Sequence, residues 1–313
     1  MAAVAERTVL TYDVGGSHVS AAVCQSGAFR LGPVFSARYS ADQSSESFVN
    51  LLYDLGVEAS ACFVGVSGAE IAVPGPFDFG TGVSRMRHKL PYLYGVDLRQ
   101  LVARRFGWEG CQVRFLKDAS AFLLGEIGAG AARRIPRAVG ITLGTGIGSA
   151  FAVNGHLVTK GPGVAPDGEI WNLPYEGGIV EDSLSTRAIQ REYERRTGVV
   201  PDVARIAAAA EYDRNAAAVF TEFGRHLGLA LRMVLAEFAP QVVVLGGGIS
   251  RSADLFLPAA QSHLQDLKIY LAVSTLKDHA PLVGAAVEWF STETAAKAPS
   301  PQPDSMATGN KLV

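Results

Sequence analysis

Residues 13–17 of this 313-residue chain combine a carboxylate with two glycines and a hydroxyl, in Asp13, Gly15, Gly16 and Ser17. Glycines let the backbone approach a phosphate closely, with amides pointing at the anion. Asp13 is suited to hold Mg²⁺ through water, because magnesium prefers one or two carboxylates together with substrate phosphates. A hairpin turn favours the same residue types for conformational reasons. Taken alone, the segment fits either interpretation.

A second segment, residues 143–149, has three glycines alternating over five residues, Gly144, Gly146 and Gly148, with Thr145 between the first two. This many glycines are costly in backbone entropy, and a strand-to-strand turn does not need them. A loop whose amides face an anion does need them, so a phosphate loop and a tight hairpin both stay open. The Walker loop is excluded because no Gly-Lys-Ser/Thr follows, and the dinucleotide fingerprint because a strand follows instead of a helix.

Two further features are candidates for a nucleotide site or for general-base chemistry. Gly246, Gly247 and Gly248 follow an apolar run and could lie against an adenine or ribose, although a loop between a strand and a helix explains them nearly as well. Asp118 stands where a predicted strand meets a predicted helix. A lone carboxylate at such a junction is most often an ordinary N-cap.

Carboxylates and an amide lie close to a tryptophan in residues 167–182, notably Glu169, Trp171, Asn172 and Glu181. Sugar hydroxyls need partners that both donate and accept hydrogen bonds, and an indole ring can stack on the apolar face of a sugar. Surface loops rich in Asp, Glu and Gly look similar. This region alone therefore does not decide between a sugar site and a solvated loop.

Composition excludes several classes of function. The net charge is −2 and hydrophobic residues make up 48% of the chain, so it is globular, with no basic block for nucleic acid. No apolar run approaches the roughly 20 residues that span a bilayer, and the first ten residues lack a signal-peptide core. Cys24, Cys62 and Cys111 are far apart, and each is predicted to be a small buried side chain in a reducing compartment. We therefore expect a cytoplasmic protein without nucleic-acid or membrane partners.

The elements that must position these residues follow one plan twice: a strand, a glycine-rich turn and a returning strand. Strands are predicted at residues 8–12, 19–24, 69–73, 112–116, 138–143, 149–153 and 242–245. Helices are predicted from Ser44 to Gly56, from Asp97 to Gly107, after Asp118, near residues 183–196, 201–210 and 213–237, and from about Leu282. From about Ser291 the composition shifts to Ala, Ser, Thr, Pro and Lys, which predicts disorder, with residues 298–313 as a disordered tail.

In this order the segments resemble the motifs of the ROK family of repressors, open reading frames and sugar kinases, within the actin-like ATPase superfamily. Residues 13–17 are similar to its first phosphate motif, and residues 143–148 are similar to its second. Residues 72–78 resemble its Pro-Gly-Pro turn beside the sugar, and residues 117–120 with 125–126 resemble the helix start carrying the catalytic base. Residues 244–249 resemble its adenosine motif, and residues 281–286 the start of its closing helix. Each match is weak, but six in the right order are specific.

The resemblance implies an α/β, two-lobed actin-like ATPase (ribonuclease H-like) fold with a cleft between the lobes. The small N-terminal lobe would hold residues 1–118 and about 282–297, and the large C-terminal lobe residues 119–281. Asp118 would be the catalytic base, and the three glycine segments would bind ATP, with Mg²⁺ on Asp13. The acceptor residues implied are Gly75, Lys117, Glu169, Asn172 and Glu181.

This chain departs from the family pattern around the acceptor. The usual Gly-Glu-x-Gly-His is here residues 168–172, with Trp171 and Asn172 as the last pair. The cysteine-rich zinc loop is missing, since the eight residues from Asn172 to Glu181 contain no cysteine, so no zinc site is expected. Lys117 and Lys89 stand where the family usually has Asn. The phosphate chemistry is kept while the contacts to the acceptor are altered.

The resulting prediction is an ATP-dependent hexose kinase, acting on the 6-hydroxyl of glucose or a near relative, with a homodimer possible. A polyphosphate-using glucokinase or a kinase for another hexose is the nearest alternative. A catalytically inactive sugar-binding module is the alternative outside enzymes. A sugar-responsive repressor is disfavoured, because only 12 residues precede Asp13, too few for a helix-turn-helix.

Overall fold

The computed structural model describes residues 6–40 and 42–297. The predicted disordered tail, residues 298–313, lies outside them. Eight strands belong to the N-terminal part: β1 (Thr8–Val14), β2 (His18–Gln25), β3 (Arg30–Leu31), β4 (Phe35–Arg38), β5 (Val66–Val73), β6 (Phe77–Asp78), β7 (Val83–Ser84) and β8 (Val113–Lys117). Seven follow: β9 (Arg137–Leu143), β10 (Ile147–Val153), β11 (His156–Val158), β12 (Pro174–Tyr175), β13 (Gly178–Ile179), β14 (Val242–Gly246) and β15 (Tyr270–Val273).

The described residues also contain the helices that pack against these strands. They are α1 (Ser45–Ser60), α2 (Leu98–Phe106), α3 (Asp118–Ala129), α4 (Val180–Ser183), α5 (Thr186–Thr197), α6 (Val203–Ala209), α7 (Arg214–Leu235), α8 (Leu257–Ser262) and α9 (Ala280–Lys297). Short 3₁₀ turns occur at Pro91–Leu93, Gly110–Gln112, Pro166–Gly168, Gly248–Leu255 and Lys277–His279. None of the helices in the described ranges is both long and apolar enough to cross a bilayer.

The first sheet has the order β3-β2-β1-β5-β8, with β4 also paired to β2. β1 runs antiparallel to β2 and parallel to β5, and β5 runs parallel to β8. The carboxyl ends of parallel strands meet at one edge of a sheet. Asp13, the turn after β5 and the β8–α3 junction therefore lie at the same edge, as the pairings of Asp13 with Ala72 and of Val73 with Lys117 require.

The second sheet repeats this arrangement in the order β11-β10-β9-β14-β15. β9 is antiparallel to β10 and parallel to β14. The glycine loop that follows Leu143 and the glycines that follow Leu245 consequently share an edge, because Gly246 pairs with Thr142. The repeated plan inferred from the chain is thus two sheets of like topology.

Helices α3 and α9 pack between the two sheets. On α3, Phe122 and Leu123 face the second sheet, whereas Ala121 and Leu124 join a cluster with strands of the first sheet and with α9. The two helices cross at their glycines, since a Cβ on Gly284 would lie 1.7 Å from the carbonyl oxygen of Ala121, and one on Gly125 would lie 2.0 Å from that of Ala280. This contact requires glycine at both positions.

Most predicted elements are confirmed within one to three residues, including the helix caps at Ser44 and Asp97 and the left-handed stop at Gly107. Gly56 was predicted to end its helix, but α1 continues to Ser60. Gly56 is instead required for packing, because a Cβ there would lie 2.2 Å from the hydroxyl oxygen of Tyr12.

Other predictions were wrong in part. α9 begins at Ala280 and continues to Lys297, so residues 291–297, predicted as the start of a disordered tail, are helical. The edge strand β15 was not predicted, because four residues, two of them exposed at Tyr270 and Val273, show no clear alternation. Cys24 is buried as expected, but Cys62 and Cys111 are exposed.

Candidate active site

Asp13 is the sixth residue of β1, immediately before the turn into β2. In that turn the Gly15 amide donates to the His18 carbonyl oxygen at 2.9 Å, and the Tyr39 hydroxyl donates to the Gly15 carbonyl. A Cβ on Gly15 would lie 2.7 Å from the His18 ring, whereas Gly16 faces open space. A side chain on Gly15 would thus displace the exposed His18 ring, while Gly16 leaves room for a ligand to approach the backbone.

Asp118 opens α3, one residue after its N-cap Lys117, so it is not the capping residue itself. One carboxylate oxygen accepts from the Ala119 amide at 2.7 Å. Burial raises the pKa of Asp118 above its usual value, while the charge of Lys89, the Ala119 amide and the charge of Lys117 act in the opposite direction. The protonation of the Asp118 carboxylate thus depends on the balance between its burial and the charges of two ammonium groups.

The predicted catalytic base, Asp118, and the predicted magnesium residue, Asp13, lie close enough to influence each other. Burial, followed by the charges of Asp118 and then Asp278, raises the pKa of Asp13 from 3.8 to about 7. No cation compensates Asp13 among the ion pairs of the described residues. The charged forms of Asp13, Asp118 and Asp278 therefore repel one another.

Lys117, Glu169 and Trp171 form a connected group in the predicted acceptor region. The Lys117 ammonium lies 2.7 Å from one Glu169 oxygen, and the Trp171 indole N–H donates to the other at 2.6 Å. Burial alone would raise the pKa of Glu169, but hydrogen bonds from Lys117 and Trp171, with the charges of Lys117 and Lys89, hold it below its usual value. Glu169 is an ionised carboxylate beside a partly exposed indole ring, and Asn172 is exposed next to that ring.

The second glycine loop is held by the start of α5. The Gly144 carbonyl accepts from the backbone amide of Thr186 at 2.8 Å and from its hydroxyl at 2.9 Å. Thr145 is exposed, and Gly144 has open space where a side chain would be. The loop therefore presents its backbone to solvent while its base is fixed.

Glu181, predicted at the acceptor, lies against this loop. Its carboxylate accepts from the Ile147 amide at 3.1 Å, and a Cβ on Gly146 would lie 2.1 Å from the same oxygen. Its other oxygen is 3.9 Å from Arg187. Since its own amide donates to the Trp171 carbonyl, Glu181 joins the segment around Trp171 to the glycine loop. Gly148 also has a packing reason, since its Cβ would lie 2.4 Å from the Thr142 hydroxyl oxygen.

The third glycine segment contacts the second. Gly247 has a φ of +83°, and a Cβ there would lie 2.4 Å from the Leu143 carbonyl oxygen, while one on Gly246 would lie 2.3 Å from the Phe122 ring. Only Gly248 faces open space. Gly75, in the turn after β5, also faces open space, and its peptide bond to Pro76 is cis.

Two carboxylates near the site were not predicted from the sequence. Asp278, in the turn before α9, pairs with Arg251 at 2.5 Å and contributes to the field at Asp13. Glu126 is fully buried on α3 and accepts from the Ser274 hydroxyl at 2.5 Å and the Leu276 amide at 3.2 Å. Glu126 thereby holds the segment that leads to Asp278. Its Gly-Glu motif was visible in the sequence, whereas Asp278 had no local signal.

A protein-only metal cage does not occur in the part of the chain that the structure describes. No group of three or more His, Cys, Asp or Glu side chains within residues 6–40 and 42–297 could hold a metal ion. Asp13 by itself is a donor that suits a magnesium ion bringing its own phosphate and water ligands, because such an ion uses one or two protein carboxylates. The absence of a zinc site stays a prediction.

The sequence of this chain is similar to those of known proteins. The model of the ROK family matches residues 9–292. A glucokinase of Thermotoga maritima is 28% identical over 246 residues, covering 69% of this chain and 77% of that protein. An N-acetyl-D-glucosamine kinase of Pectobacterium atrosepticum is 27% identical over 266 residues, covering 78% and 85%.

The solved structures agree on the fold. A ROK family glucokinase of Streptomyces griseus, determined with glucose and AMPPNP, superposes with a TM-score of 0.73 at 23% identity, covering 89% of this chain and 98% of that one. This likeness confirms the two-lobed actin-like ATPase fold that the order of the motifs predicted.

Proposed function

Because the chain belongs to the ROK family, we propose that it is a sugar kinase that transfers the γ-phosphoryl group of ATP to a hexose, with the 6-hydroxyl of glucose as the favoured acceptor. The observation that carries the proposal is the meeting of Asp13 and Asp118 at one sheet edge, within electrostatic range of each other. A kinase needs one carboxylate at the metal and one at the attacking hydroxyl.

In the proposed reaction Asp118 accepts the proton of the attacking sugar hydroxyl. The oxygen of that hydroxyl forms the new bond to the γ-phosphorus, and the bond between the γ-phosphorus and the leaving ADP breaks. Asp13 would hold Mg²⁺, which when bound would supply positive charge that offsets the phosphates. Backbone amides around Gly16 and Gly144, where no side chain stands in the way, face the phosphates. Gly248 leaves room for the adenosine.

Glu169, Asn172 and Gly75 line the acceptor side, with Trp171 as a stacking surface for the sugar. Lys117 is engaged with Glu169 at 2.7 Å, so it orients that carboxylate and adds positive charge beside Asp118. Glu181 contacts the glycine loop, so its proposed role includes coupling acceptor binding to that loop. We propose that the small lobe comprises residues 1–118 and about 282–297, and the large lobe residues 119–281.

One observation favours a second donor. Lys89 and Lys117 both act on Asp118. Basic residues of this kind are what a polyphosphate donor would require. A cytoplasmic location and a homodimer stay predictions.

The test is an ADP-release assay across a panel of hexoses and N-acetylated hexosamines, with a parallel assay of sugar-phosphate formation from polyphosphate. Phosphorylation of glucose in preference to the other sugars supports the proposal. Turnover of no sugar with either donor, while sugar binding is measurable, would contradict it and identify an inactive sugar-binding protein. The order of kcat/KM among sugars and donors decides the rest.

A further inference from the structure

A very short hairpin lies between the proposed acceptor residues, Glu169 to Asn172, and Glu181, which contacts the glycine loop at Ile147. Strands β12 and β13 have two residues each, and the turn residues Glu176 and Gly177 both have positive φ, at 47° and 81°. The Glu181 amide donates to the Trp171 carbonyl at 3.0 Å, which closes the loop behind the hairpin. The hairpin is thus connected closely to Trp171 on one side and to Glu181 on the other.

Such a hairpin is not stable by itself, because two-stranded ribbons of this length are marginal in water. It needs an attachment to a rigid element. α7 provides one, since Phe220, Phe223 and Leu227 are buried in the core of the second sheet. The turn of the hairpin lies over the exposed side of this helix, next to His226.

Four polar side chains join the hairpin to α7 through His226. Tyr175, itself buried, has its hydroxyl 3.0 Å from His226 Nδ1. A Glu176 oxygen lies 3.3 Å from the same nitrogen, and a Glu222 oxygen lies 3.2 Å from His226 Nε2. Arg225 pairs with Glu222 at 2.8 Å and with Glu176 at 3.7 Å.

The His226 imidazole is thus bracketed by carboxylates on both ring nitrogens, one from the hairpin and one from the helix. Its side chain is only 18% exposed, so solvent does not replace these partners easily. Exposed ion pairs taken singly contribute little, but here the Arg225 guanidinium and the His226 ring each contact both Glu176 and Glu222, and a buried hydroxyl joins the set. The geometry favours a single orientation of the hairpin.

We propose that Tyr175, Glu176, Glu222, Arg225 and His226 form a hairpin anchor that positions Trp171 and Asn172 for the acceptor sugar. None of these residues is proposed to touch substrate; each is a positioning residue that acts through the loop. The proposal rests on the proposed function for its kinetic readout, and it has a second readout that does not depend on activity.

The kinetic test uses His226→Ala, with His226→Gln as the conservative variant, because glutamine can still bond a carboxylate. We expect the acceptor KM of His226→Ala to rise about tenfold, with the ATP KM within about twofold, because the hairpin lies on the acceptor side. His226→Gln should recover at least part of the loss. Arg195→Gln is the matched control, since Arg195 pairs with Glu192 on neighbouring α5 and contacts no part of the hairpin.

The second measurement is amide hydrogen exchange of the unliganded full chain. His226→Ala should accelerate exchange in residues 172–180 but leave the core residues of α7 protected. Unchanged exchange in the hairpin, an unchanged acceptor KM, or an equal rise in both KM values would overturn the anchor. Faster hairpin exchange in a protein that phosphorylates no sugar would support the anchor and contradict only the proposed function.

Discussion

Asp118 is the residue whose removal tests the proposed chemistry most directly. Asp118→Asn keeps the shape of the side chain and can keep the contact with the Ala119 amide, but it cannot accept a proton. We expect kcat to fall by about 10²–10⁴-fold, the usual effect of losing a general base. Sugar binding, measured by calorimetry, should be nearly unchanged. A variant that keeps more than about a third of the kcat would remove Asp118 from this role.

Lys89 sets the protonation of the proposed base through its charge. It opposes the effect of burial on the pKa of Asp118, so Lys89→Gln should raise that pKa further. Since the base must be ionised, the acid limb of kcat/KM should move to higher pH. Lys89→Arg, which keeps the charge, should leave the limb in place. Because Lys89 is exposed, the shift should shrink at high salt; a limb that does not move in Lys89→Gln would contradict the assignment.

At the scale of elements, the crossing of α3 and α9 fixes the position of the two sheets relative to each other. Gly284→Ala would place a Cβ 1.7 Å from the Ala121 carbonyl oxygen. Because the neighbouring atoms belong to the backbone of α3, no side-chain rotation can relieve this clash. We expect a loss of about 2–5 kcal/mol in the free energy of unfolding, the range for severe steric changes in a core.

The control is Gly110→Ala, where the nearest atom to a new Cβ would be Arg99 Cδ at 3.9 Å. Denaturant unfolding measures both variants. Equal stability of Gly284→Ala and Gly110→Ala would show that α3 and α9 do not pack as described.

At the scale of the whole molecule, the chain should fold and act without zinc. The segment from Asn172 to Glu181 contains no cysteine, and contacts from Tyr175 and Glu176 to α7 hold it instead. Metal analysis should find no stoichiometric zinc, and a chelator followed by Mg²⁺ should leave both Tm and activity unchanged. Unfolding by the chelator with Mg²⁺ restored would contradict this prediction.

Much of the fold was predictable because its signals are local. Strand β1 followed by its glycines, and β9 followed by Gly144, could be predicted from neighbouring residues alone, because a turn that exposes amides needs glycine where it occurs. The caps Ser44 and Asp97 were likewise readable, since each contacts an amide three residues later. Gly56 misled for the opposite reason: the residue that requires it, Tyr12, is distant in sequence.

The sequence by itself therefore determined the two repeated sheet plans, the glycine loops and Asp118 at its strand end. Only the tertiary structure decided which charges meet there. Lys117 reaches Glu169, Asp278 acts on Asp13, and His226 lies between Glu176 and Glu222. Glu181, assigned to the acceptor by its motif, also accepts a hydrogen bond from the glycine loop. Coulomb energies depend on separation in space and on burial, and the folding of distant segments against one another sets both.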